Sequence, residues 1–163
     1  MVTAKGAEKM VLGLDPGYAD LGFGVIRVSG SRQEMIDYGS IKTSKTKMHG
    51  QRLEEIYDVL QELIVKYKPN VIGFEKLFFS KNVKTALLVA EARGVIQVVL
   101  AKSGAKCVEV SPQQVKLAVC GHGGAEKTQV QKMVKTLLGL REIPKPDDAA
   151  DALAIALAVM NVR

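Results

Sequence analysis

Met10-Val-Leu-Gly-Leu-Asp-Pro-Gly17 decides how the chain is read. Five apolar residues run up to a carboxylate and are then stopped by proline and glycine. A helix would want about ten or more residues and would not carry Pro16 in its interior, whereas a strand buried on both faces needs only this length. Asp15 then stands where the strand leaves the core, because a lone buried carboxylate is costly unless it is solvated, hydrogen-bonded or bound to a cation. Asp-Pro-Gly is also a run of turn formers, so this stretch alone leaves a functional strand end and an ordinary turn both open.

The segments that follow predict an α/β fold around that strand. Residues 20–28, closed by Ser29-Gly30-Ser31, and residues 33–43 are rich in β-formers, and the short connections predict a three-strand antiparallel meander. Gly22 and Gly24 mark a bulge, a close approach of a ligand, or simple packing. From Met48 the period changes: Leu53, Ile56, Tyr57, Leu60, Leu63, Ile64 and Tyr67 form one stripe of an amphipathic helix that ends at Pro69-Asn70. Residues 71–74 read as a second buried strand, stopped by Glu75, and strand, helix, strand implies a parallel crossover.

Residues 76–84 connect onward with Phe78 and Phe79 set among Lys76, Lys81, Asn82 and Lys84. Either the phenylalanines pack onto the sheet, or they offer a stacking platform to an unpaired base while the lysines hold phosphates. The helix expected over 83–102 is apolar on nearly every side and needs partners on two of them, which predicts a twofold homodimer through it. A strand over 107–110 leads to Ser111-Pro112, a helix start with Ser as cap and Pro in the first turn. After Gly121-His-Gly-Gly124, where His122 is expected in solvent, a helix turns Val130, Met133, Val134, Leu137 and Leu138 inward and Lys127, Gln131, Lys132 and Lys135 outward. Asp147 is the expected cap of a last helix over 148–160, with Asp148 and Asp151 three apart and so on one side of its first turn.

The 163 residues suit one domain, expected over 10–163 behind a flexible extension of residues 1–9. A net charge of +6 favours a polyanionic partner. Cys107 and Cys120 are too far apart for a close-spaced metal or redox pair and read as reduced thiols. Residues 1–9 are polar, without the apolar core of a signal peptide, and no apolar run approaches bilayer length. A soluble, cytoplasmic protein with no membrane partner is expected.

Parallel strands present their C-terminal ends along one sheet edge, where open α/β sheets place ligands. Asp15 and Glu75 occupy such ends, and a last helix packed there adds Asp148 and Asp151. Two such charges about 4 Å apart repel by about 4 kcal/mol at an effective dielectric of 20, so the cluster calls for cations or shared protons. Oxygen ligands suit Mg²⁺ or Mn²⁺, and two ions at one site would serve an in-line displacement at phosphorus.

Gly13-Leu-Asp-Pro-Gly17, Phe74-Glu-Lys-Leu-Phe-Phe79, Ala92-Arg-Gly-Val95, Ala125-Glu-Lys-Thr-Gln-Val130 and Asp148-Ala-Ala-Asp-Ala-Leu-Ala154, in this order and spacing, resemble the RuvC family of Holliday-junction resolvases in the ribonuclease H-like superfamily. The resemblance covers nearly the whole chain. It implies a five-stranded mixed sheet, the antiparallel meander plus parallel strands, with helices on both faces. It implies Asp15, Glu75, Asp148 and Asp151 as metal-binding catalytic acids holding two Mg²⁺, with Mn²⁺ as substitute. It also implies Phe78 as the residue that stacks at the crossover and Lys116 and Lys127 as basic groups near the scissile phosphate; Lys76, Lys81, Asn82, Lys84 and Arg93 join them as expected DNA contacts. A homodimer that cuts four-way junction DNA symmetrically follows, with the RuvA and RuvB branch-migration proteins as partners. The phosphate loop of actin-like sugar kinases is also similar to Gly-Leu-Asp-Pro-Gly, but those proteins need two such domains. A silent DNA-binding module would need no set of four acids.

Overall fold

The computed structural model describes residues 7–76 and 83–161, with side chains from residue 86 in the second stretch. Five strands form one sheet: β1 (Lys9–Asp15), β2 (Asp20–Ser29), β3 (Arg32–Lys42), β4 (Val71–Glu75) and β5 (Lys106–Val110), in the order β3-β2-β1-β4-β5. The first three make the antiparallel meander, and β4 and β5 add in parallel beside β1. The ladder slips between Val25 and Ile26, so the bulge falls just after Gly24 and not at the glycines. Lys9 already belongs to β1, and Glu8 pairs with Arg27 at 2.9 Å.

Alternation along the central strands divides the core in two. Leu12, Leu14, Ile72 and Phe74 face the crossover helices α1 (His49–Tyr67) and α2 (Val83–Lys102), and pack with Ile56, Leu60, Ile96 and Val99. Val11 and Val71 face the other way, toward α3 (Pro112–Cys120), α4 (Lys127–Leu137) and α5 (Asp147–Ala158). Helices therefore cover both faces, as expected for a ribonuclease H-like sheet.

Local chemistry sets most helix ends. Ser111 caps α3 by accepting from the Gln114 amide at 3.1 Å while the Gln114 side chain accepts from the Ser111 amide at 2.8 Å. The start of α5 differs from expectation: Pro146 occupies the cap position, and Asp147 is the first helical residue with no capping bond. Its carboxylate is drawn to α4 instead, 3.4 Å from Lys127. Leu137, expected inward, is exposed, because α4 buries only Val130 and Val134. On α2 the apolar side chains divide: Ala92, Ile96, Val99 and Leu100 are buried, whereas Leu87 and Val98 stand in solvent. Both cysteines are free thiols, and among the described residues no helix is long and apolar enough to cross a membrane.

Candidate active site

The alternation that places Val11 and Val71 toward α5 also places Gly13 and Asp15, and Gly73 and Glu75, on that face. Each strand thus reads glycine, apolar residue, acid, with the glycine beneath α5 and the acid at the strand end. A Cβ on Gly13 would lie 2.6 Å from the Ala156 nitrogen and closer still to the Ala152 carbonyl oxygen; one on Gly73 would strike Val159, one on Gly24 Leu153, and one on Gly22 the Asp148 carbonyl. Gly24, Gly13 and Gly73 are register partners across β2, β1 and β4. Of the readings open for Gly22 and Gly24, packing is the one seen: their missing side chains admit the alanine-rich α5 against the sheet.

Because α5 lies this close, its first turn reaches the strand ends. Carboxylate oxygens of Asp15, Asp148 and Asp151 all lie within 4.8 Å of one another. Glu75 stands beside them, and with Asp151, Val115, Lys116, Lys127 and Ile155 it lines a cavity of about 170 Å³ between β4, α3, α4 and α5. Burial, then the charges of Glu75, Asp151 and Asp148, push the Asp15 carboxyl up to about 7. Burial, then Asp151, raises Glu75; burial, then Asp20 and Asp151, raises Asp148. Lys127 opposes all three shifts. Its amine is 3.0 Å from Asp151 and 3.4 Å from Asp147; burial alone would lower it, but these contacts outweigh burial and raise it.

The four acids expected at one edge are brought together there, and Lys116 and Lys127 with them. Lys76 is exposed directly beyond β4, its amide donating to the Val110 carbonyl at 2.7 Å. Phe78, Lys81 and Asn82 lie outside the described residues, as does the side chain of Lys84. Arg93 is turned inward, its side chain only 11% exposed and paired with Glu109. His122 is exposed, as expected. Asp20, the first residue of β2, adds its charge to those that raise Asp148.

Oxygen-only ligands, three of them within 4.8 Å, and a carboxyl held near 7 by burial and then by its acidic neighbours together fit a hard divalent cation. The group is thus able to hold a metal ion, and its residues suit the chemistry of that ion.

Comparison with known proteins gives a consistent picture. The family model described as crossover junction endodeoxyribonuclease RuvC matches residues 11–159. A RuvC of Treponema denticola is 48% identical over 158 residues, covering 97% of this chain and 89% of that protein. The structure of Thermus thermophilus RuvC is similar with a TM-score of 0.84 and 36% identity, covering 91% of this chain and 92% of that one. The same protein in complex with Holliday junction substrate gives a TM-score of 0.83 and 33% identity, covering 91% of each chain. With its five-stranded mixed sheet and its acids gathered at the strand ends, this chain belongs to the RuvC family of crossover junction endodeoxyribonucleases.

Proposed function

We infer that this chain resolves four-way DNA junctions by hydrolysing a phosphodiester bond in each of two strands, with divalent metal ions, Mg²⁺ or Mn²⁺ and two per site, held by Asp15, Glu75, Asp148 and Asp151. The observation that carries this reading is the meeting of Asp15, Asp148 and Asp151 within 4.8 Å, with Glu75 beside them, at the strand ends. The Holliday junction complex of the Thermus relative supports junction DNA as the substrate.

When bound, the ions would activate a water as nucleophile and offset charge on the leaving oxygen. The chain's own residues supply the rest. Asp15, at the end of β1, would lose its proton on binding a cation. Lys127 on α4 holds Asp151 and Asp147, and Lys116 on α3 lines the same cavity as Glu75 and Asp151. A phosphate there meets both cations beside the carboxylates. Phe78 stacks on an opened base at the crossover, and Lys76, Lys81, Asn82 and Lys84 track the backbone nearby.

The dimer forms through the outer side of α2, where Leu87 and Val98 are 62% and 52% exposed. Two sites related by that axis suit paired cuts in strands of like polarity. RuvA and RuvB are the partners this reading assigns, and the cytoplasm its compartment.

The testing experiment compares wild type with Asp15→Asn on a synthetic four-way junction. Loss of cleavage by about a hundredfold or more, with junction affinity kept in EDTA, is expected, since a metal ligand goes and the basic surface stays. Cleavage near the wild-type rate would overturn the four-acid site.

A further inference from the structure

Arg93 sits in the middle of α2, yet its guanidinium faces the sheet and not solvent. Its side chain is 11% exposed. One terminal nitrogen donates to the backbone carbonyl of Glu75 at 2.7 Å. The other pairs with the Glu109 carboxylate. The guanidinium carbon lies 5.4 Å from the centre of the Phe74 ring, within the range of a cation–π contact. Glu109 is the register partner of Phe74, and Val110 that of Glu75.

One planar group therefore ties α2, β4 and β5 together at the residue where β4 delivers its acid. Beyond Glu75 the Lys76 amide adds one more backbone bond, to the Val110 carbonyl at 2.7 Å. We propose that Arg93 is a positioning residue for Glu75: it fixes the last peptide of β4, and so the direction of the Glu75 carboxylate, and it does not bind DNA. This rests on the reading of the acids as a metal site. Its charge is already matched by Glu109, and moving it to a phosphate would strip the Glu75 carbonyl of its donor and leave Glu109 unpaired. Lysine cannot take its place, because a single ammonium lacks the fork that reaches two partners at once.

The test is Mn²⁺ titration of the DNA-free protein, followed by electron paramagnetic resonance of the free ion, for wild type and Arg93→Lys. A group that orients a ligand typically governs about tenfold or more in metal affinity. We expect Mn²⁺ affinity to fall about tenfold in Arg93→Lys, and the Mg²⁺ needed for half-maximal cleavage to rise to match. Junction affinity in EDTA and its salt dependence should not change. Unchanged Mn²⁺ affinity overturns the proposal. So does a weakened junction complex whose salt slope drops by about one, the mark of a lost phosphate contact. Should Arg93→Lys melt below the assay temperature, Glu109→Gln replaces it: removing the carboxylate that holds the guanidinium should shift Mn²⁺ affinity in the same direction, and no shift overturns the proposal. Wild type that takes up no Mn²⁺ defeats the metal-site reading itself, whereas normal uptake by both proteins defeats this inference alone.

Discussion

Gly13 of β1 and Gly73 of β4 face one another in parallel register, each two residues ahead of an acid. Together they form the floor on which α5 rests, and the height of that floor sets how far the first turn of α5 stands from the strand ends. The packing of two side-chain-free positions thus determines whether Asp148 and Asp151 reach Asp15 and Glu75.

Gly13→Ala should accordingly damage both stability and activity. Its Cβ would meet backbone atoms of Ala152 and Ala156, which cannot rotate away, and overpacking of this kind costs about 1–3 kcal/mol. At about 2–4 °C per kcal/mol for a chain of this size, a Tm several degrees lower is expected, with cleavage reduced more than junction binding. Gly50→Ala in α1, where an added Cβ meets nothing within 4 Å, is the control and should leave Tm unchanged or higher. Equal Tm values for the two variants would contradict this account of α5.

The acid cluster makes the metal-free protein sensitive to pH. Burial and the neighbouring acids hold Asp15 at about 7 against an ordinary 3.8. Between those values the unfolded chain has released this proton and the folded chain has kept it, so stability falls as pH rises through the window. A shift of about three units corresponds to at most about 4 kcal/mol. Thermal melting in EDTA should show Tm falling from about pH 4 to about pH 7, with a shallower fall in Asp15→Asn and a smaller one with Mg²⁺, which favours the charged acids. A Tm that rises across this window in EDTA would contradict the assignment.

Leu87 and Val98 are eleven residues apart (98 − 87), close to three turns, and share one side of α2. If that side is the dimer interface, Leu87→Glu with Val98→Glu should give a monomer by sedimentation with its helical content kept, because neither residue contributes to the core. A double variant that sediments as wild type does would place the interface elsewhere.

The sequence disclosed the parts of the site governed by local chemistry. Pro16-Gly17 ends β1, and Pro69-Asn70 parts α1 from the short apolar run that Glu75 closes, so the strand ends bearing Asp15 and Glu75 could be located from neighbouring residues alone. The spacing of Asp148 and Asp151 placed them on one side of a helix before any packing was known. What stayed hidden depends on contacts between distant segments. Pro146 displaces Asp147 from the cap while Lys127, a helix away, draws the carboxylate aside. Arg93, grouped with the DNA contacts by its motif, is claimed by Glu75 and Glu109 on strands it does not adjoin in sequence. Gly13, Gly24 and Gly73 carry no periodicity of their own, and their alignment exists only once the register of three strands is known.

The most direct measurement is strand cleavage of a synthetic mobile four-way junction by wild-type protein in Mg²⁺, mapped on a denaturing gel beside the same sequence as linear duplex and beside a reaction in EDTA. Paired nicks at symmetric positions in two strands of like polarity, on the junction alone and lost in EDTA, are predicted. Tight junction binding with no nicks in either Mg²⁺ or Mn²⁺ would contradict the account and leave a protein that recognises junctions without cutting them.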